Sequence, residues 1–102
     1  KRFFYGCDGS WLLYKTAHAL RQQHFDAMIF DCTIGDVSGD FRIFEHNNIA
    51  MVKEMCAAYS GNCDRFFVSH MARTLHTDHE TLTARLAPLG ITPAYDDMIV
   101  EL

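Results

Sequence analysis

No apolar run in the chain approaches the roughly 18 residues that a membrane-spanning helix needs; stretches such as Ala27 to Phe30 are among its longest. A concentrated basic face is missing too. Nine lysines and arginines stand against thirteen acidic residues, giving a net charge of -4, and the basic ones are scattered from Lys1 to Arg85. A nucleic-acid groove that works by counterion release wants such a face, so no strong nucleic-acid patch is expected. The four cysteines, Cys7, Cys32, Cys56 and Cys63, contain no CxxC pair, which argues against a zinc ribbon or a thioredoxin-type redox site. There are no internal repeats and no low-complexity stretch, and no signal peptide is expected from the run of Lys1-Arg2 into Phe3-Phe4-Tyr5.

What is present describes one folded domain. The chain is 49% hydrophobic and 13% aromatic over 102 residues, too rich in large apolar side chains for intrinsic disorder. A core of that size needs no disulfide staples, so the cysteines are expected as free, mostly buried thiols of a cytoplasmic protein. Lys1-Arg2 runs straight into strand-like Phe3-Phe4-Tyr5 without a methionine. The expectation is a segment cut from something longer.

Patterning gives alternating strands and helices. Phe3 to Cys7 reads as a strand stopping at Asp8-Gly9, with Ser10 as N-cap of a helix over Trp11 to Gln23. Ala27 to Phe30 is a continuous apolar run ending at Asp31-Cys32-Thr33, which suits a parallel strand covered on both faces. Ile34 to Phe44 shows no period and reads as a loop. A helix from Asn48 to Tyr59 with Gly61 as its stop precedes a strand over Arg65 to Ser69, ending at His70. Thr77 and Glu80 have capping-box spacing and open a third helix with an inward stripe of His79, Leu82, Leu86 and Leu89, closed by Gly90. The tail reads as two extended segments, Ile91 to Tyr95 and Met98 to Leu102, around a turn at Asp96-Asp97. This order predicts an α/β layered domain.

Three of these strands end on Asp8, Asp31 and His70. Ligands of open α/β sheets bind beyond the carboxyl ends of the strands, and parallel strands would bring all three residues to one rim. Two carboxylates and an imidazole there are metal-type donors, although each alone would serve equally as a turn former or cap. His46, after the long loop, is placed to reach the same rim. His18 and His24, on the first helix, carry no expected chemistry, and His76 is ambiguous, with the structural reading favoured.

Together, Tyr5-Gly6-Cys7-Asp8-Gly9, Ile29-Phe30-Asp31-Cys32-Thr33, Glu45-His46-Asn47-Asn48, Val68-Ser69-His70 with His79 beyond, and Tyr95-Asp96-Asp97-Met98 resemble the second half of a metallo-β-lactamase-fold hydrolase. The order is most similar to the phosphodiesterase branch, which includes cyclic-phosphate phosphodiesterases of phosphonate breakdown and tRNA 3′-end endonucleases. The resemblance implies residues 1–102 as the C-terminal half of a four-layer αβ/βα sandwich, with helices against a mixed sheet. It implies Asp8 bridging two divalent ions (zinc, manganese or nickel), His70 on the second ion, and His46 assisting the leaving group of a small phosphate ester. Asp31 would orient His46, and His79 and Asp96 would line the site. Asp97 departs from the pattern, because a glycine is usual there.

The superfamily's main signature, His-x-His-x-Asp-His, does not occur in these residues. Asp8 and His70 cannot hold two ions unaided, so this chain is expected to be inactive alone and to need the missing N-terminal half. Oligomerisation is left open. The rival reading is a non-catalytic α/β module of receiver or flavodoxin type, whose carboxylate rim binds magnesium, or an interaction half-domain without metals. Against the receiver, the tail looks like a hairpin and a lysine at a late strand end is missing.

Overall fold

Four short apolar runs pair side by side in the computed structural model, which describes residues 1–102. They are β1 (Phe3–Gly6), β2 (Ala27–Asp31), β3 (Phe66–Ser69) and β4 (Ile91–Pro93), alternating with α1 (Tyr14–Arg21), α2 (Ile49–Tyr59) and α3 (His79–Leu86). The sheet order is β1-β2-β3-β4, and every pairing is parallel. The mixed sheet expected from the resemblance is therefore not what this chain forms. The strand order also never reverses, so it lacks the switch point of a doubly wound sheet.

Register explains where the core lies. Phe4, Met28, Phe66 and Ile91 form one row across all four strands. Side chains alternate across a strand, so Phe30 and Val68 share that face. This face packs against Leu20 of α1, Val52, Met55, Cys56 and Tyr59 of α2, and Leu82 and Leu86 of α3 in one cluster. Successive crossovers in one direction and of one hand put their helices on one side of the sheet. The other side carries Phe3, Tyr5, Ile29 and Phe67, and no helix covers it. Phe3 and Tyr5 are 61% and 64% exposed.

The tail follows this asymmetry. After Pro93 the chain adds no further strand; Met98, Val100 and Leu102 instead turn toward the bare sheet face. With Phe3, Tyr5 and Phe67 they line an open trough of ≈ 350 Å³. The alternation that reads as a hairpin strand in the sequence thus serves to cover a sheet face. Pro93, which cannot donate to a ladder, sits on the edge strand, where that costs least.

Two helix starts differ from the sequence reading. The Ser10 hydroxyl donates to the Ile43 carbonyl at 2.8 Å, so it is not available to cap, and α1 begins at Tyr14 after an uncapped Leu13. In α3 the cap is Asp78, whose carboxylate accepts from the Thr81 N–H at 2.9 Å. As Asp78 is the cap, His79 becomes the first helical residue and is exposed, not turned inward. Asn48 caps α2 by accepting from Met51 N–H at 2.9 Å. The loop between β2 and α2 contains a short 3-10 turn, Phe41–Phe44, capped by Asp40. All four cysteines are free, and Cys32, Cys56 and Cys63 are buried. No helix is long and apolar enough to cross a membrane.

Candidate metal centre

Asp31 is the last residue of β2 and is fully buried. Its Oδ1 accepts the backbone N–H of Thr33 at 3.0 Å and of Asn47 at 3.1 Å. Its Oδ2 accepts the backbone N–H of Asp8 at 3.1 Å. The same Oδ2 lies 3.1 Å from His46 Nδ1 and 3.0 Å from His70 Nδ1. Burial pushes the Asp31 carboxyl up, but the hydrogen bonds from Thr33, His46 and Asn47 outweigh it, and the net shift is downward. The carboxylate is thus ionised and can only accept.

That fixes both imidazoles. A carboxylate partner requires the proton on Nδ1 of His46 and of His70, which leaves each neutral ring's Nε2 as its bare, outward nitrogen. Thr33 adds a second contact to each ring, with Oγ1 2.8 Å from His70 Nδ1 and 3.2 Å from His46 Nδ1. Its hydroxyl donates to the His70 carbonyl at 2.8 Å, leaving the oxygen lone pairs to the rings. The two rings stack with centroids 5.5 Å apart and planes at 23°.

Asp8 completes the cluster from the end of β1. One ligand atom each from Asp8, His46 and His70 lie within 4.8 Å of one another, and His70 Nε2 is 3.8 Å from Asp8 Oδ1. Two of these three residues sit in the left-handed backbone region, Asp8 at φ 57° and His70 at φ 59°. Non-glycine residues there are uncommon, and they gather at functional sites. The only other one is Asp97, at φ 62°. Asp97 thus holds the left-handed backbone of a glycine despite its side chain.

All four residues expected at the rim, Asp8, Asp31, His46 and His70, thus come together. Asp31 faces both histidines instead of His46 alone, and His46 stands among the metal-type donors. His79 and Asp96 do not join them. His79 meets the Tyr95 ring edge-on at 5.7 Å, and Asp96 is exposed beyond β4 without an ion pair or side-chain hydrogen bond. His76 stands apart from them, its Nε2–H donating to the Cys32 carbonyl at 2.5 Å.

Two contributors escaped residue-by-residue reasoning. Thr33 bridges the rings, and Asn47 is fully buried, its side-chain amide donating to the Asp31 carbonyl at 3.2 Å. The available signal was the Asp-x-Thr spacing after a strand, which favours a local side-chain turn.

Two imidazole nitrogens and a carboxylate oxygen suit borderline divalent ions such as zinc, manganese or nickel. Three protein donors are what a catalytic zinc takes. The side chains here therefore fit one ion, and a second would need donors beyond these three. Compared with known proteins, the chain matches no family model and no curated sequence.

Proposed function

We propose that this chain is part of a divalent-metal-dependent hydrolase of metallo-β-lactamase type, acting on a phosphate ester. The carrying observation is the single buried carboxylate of Asp31 that receives both His46 and His70 through Nδ1. Anchoring of that kind orients metal-binding histidines and sets their tautomer. The helix-free apolar sheet face, which the tail covers only in part and which stays open at Phe3 and Tyr5, supports the half-sandwich reading, because that is where the sheet of the missing half would pack.

In this reading Asp8 and His70 would hold metal together with donors from the missing half, and His46, although it stands within reach of the same ion, presents its Nε2 to the ester instead. A bound divalent ion supplies positive charge and Lewis acidity at the phosphoryl group, which an acidic chain with scattered lysines does not. Asp31 keeps the His46 ring in one orientation through Nδ1–H, so that its Nε2, once it has taken up a proton from water, can pass that proton to the leaving oxygen. A second ion would need donors of the kind a His-x-His-x-Asp-His segment supplies, which these residues do not include. The sequential strand order and one-sided helices favour this over a receiver-like module.

The test is metal content and turnover of the full-length protein against a phosphodiester panel. His46→Ala is expected to keep metal and lose about two to four orders of magnitude in rate. Asp8→Ala is expected to lose metal first. Full rate and full metal content in both variants would refute the assignment. Loss of metal in His46→Ala would instead make His46 a ligand.

A further inference from the structure

A cleft of ≈ 190 Å³ opens between Trp11 and Phe44, completed by Ser10 and Ile43. The Ser10–Ile43 hydrogen bond ties the loop after β1 to the Phe41–Phe44 turn. The turn is braced in its own right. Asp40 accepts the Arg42 backbone N–H at 2.8 Å and both arms of its guanidinium at 2.9 Å and 2.6 Å. Trp11 is 55% exposed and Phe44 84% exposed. Single exposed apolar side chains are ordinary, but two aromatic walls held open by a braced turn are a feature of binding sites.

The position is equally informative. Trp11 follows Asp8 by three residues, and Phe44 precedes His46 by two. Chain length alone keeps their Cα atoms within about 11 Å and about 7 Å of those residues. The cleft therefore lies one small molecule away from the candidate metal centre, and its walls are continuous with the segments that supply Asp8 and His46. Neither lysine nor arginine lines it, and the nearby Arg42 is committed to Asp40. Grip on a substrate here has to come from ring contact, not charge.

We propose that this cleft seats a flat aromatic ring carried by the phosphate ester, a nucleobase or an aryl group, while the phosphate reaches toward Asp8, His46 and His70. The ring end stands on the cleft alone; the phosphate end rests on the hydrolase reading above. Stacking on an aromatic side chain is tolerant of ring identity and changes affinity roughly five- to 150-fold. Binding energy gathered at a remote ring can also serve to position the reacting phosphate.

Trp11 is the only tryptophan in the sequence; it borders this cleft and a second pocket beside Arg21 and Met55. Its fluorescence therefore reports binding at either. Trp11→Phe subtracts any signal from elsewhere, and the Phe44 variants tie the signal to this cleft. The full protein is titrated with adenosine monophosphate, phenyl phosphate and ribose phosphate, with manganese and with chelator. Saturable quenching by the first two and none by ribose phosphate is the expected result. Tighter binding of adenosine monophosphate than phenyl phosphate assigns a nucleobase; the reverse order assigns a simple aryl ester. Phe44→Ala is expected to weaken ring binding roughly five- to 150-fold, with Phe44→Tyr restoring it and Phe44→Leu not. No saturable change up to millimolar ligand, or equal binding by Phe44→Leu, overturns the proposal. Manganese binding by calorimetry is read in parallel. Quenching without metal binding refutes the hydrolase reading and leaves the cleft, and metal binding without quenching refutes the cleft alone.

Discussion

His70 Nδ1 lies 3.0 Å from the Oδ2 of Asp31, so a buried carboxylate fixes which ring nitrogen faces outward. The same oxygen serves His46, and one substitution therefore releases both rings. Asp31→Asn keeps the size and removes the charge. Its amide can satisfy only part of the converging N–H groups, and a wrong orientation would set NH2 against ring N–H. Zinc or cobalt affinity, measured by titration calorimetry, is expected to fall about 10- to 100-fold. Thr33→Val, which removes the hydroxyl between the rings but leaves Asp31, should fall less and guards against an Asp31→Asn that fails to fold. Unchanged affinity in folded Asp31→Asn would show that the carboxylate does not organise a metal site.

The buried thiols give a stability limb at high pH. Burial pushes Cys32 and Cys56 up from 9.0 to about 12. Between these values the unfolded chain releases protons that the folded chain retains. Their contribution is complete below pH 9.0 and declines as pH rises toward about 12. Each thiol should remove about 1.4 kcal/mol per pH unit in that window. Tyr59, raised by burial from 10.0, adds loss of the same sign. Denaturant titrations across the window should show a shallower decline in Cys56→Ala than in the parent. Equal slopes would mean that the Cys56 thiol ionises freely in the fold.

Gly35 and Gly39 form a matched pair for the long loop. Both have left-handed φ, 61° and 72°. A Cβ on Gly35 would overlap the Leu75 carbonyl oxygen, whereas one on Gly39 would meet nothing within 4 Å. Gly35 also accepts the Ile49 N–H at 2.8 Å, which seats the start of α2 just after His46. Gly39→Ala should cost about 1 kcal/mol, the left-handed penalty alone. Gly35→Ala should cost about 1–3 kcal/mol more, because backbone must move, and should weaken metal binding as well. Thermal melts of the two variants decide it; equal losses would mean that Leu75 yields without cost.

Much of the rim was legible because strands end where apolar runs end. Asp8, Asp31 and His70 each terminate such a run, and parallel pairing of β1, β2 and β3 does the rest. The sharing of Asp31 between two histidines was not legible, since it depends on how far His46 returns across a loop with no periodicity. His79 misled for the opposite reason. Its spacing to Leu82 and Leu86 is helical, but a residue at the first position of a helix lies at the end of the buried stripe, and here it is exposed beside Tyr95. The tail misled because apolar alternation marks a face to be covered and does not say whether a ladder or a sheet surface covers it.

Asp8 is held at φ 57° with its side chain exposed, a conformation that glycine adopts without penalty and that a residue with Cβ does not. Its backbone N–H, bound to Asp31 at 3.1 Å, is retained in any substitution except proline. Asp8→Gly and Asp8→Ala should therefore lose the carboxylate equally but differ in strain. Both are expected to abolish tight metal binding, while Asp8→Gly should be about 1 kcal/mol more stable than Asp8→Ala. Denaturant midpoints and metal titrations on the same samples check both halves. An Asp8→Ala as stable as Asp8→Gly would show that no strain is stored at this residue, and retained metal affinity in either would remove Asp8 from the ligand set.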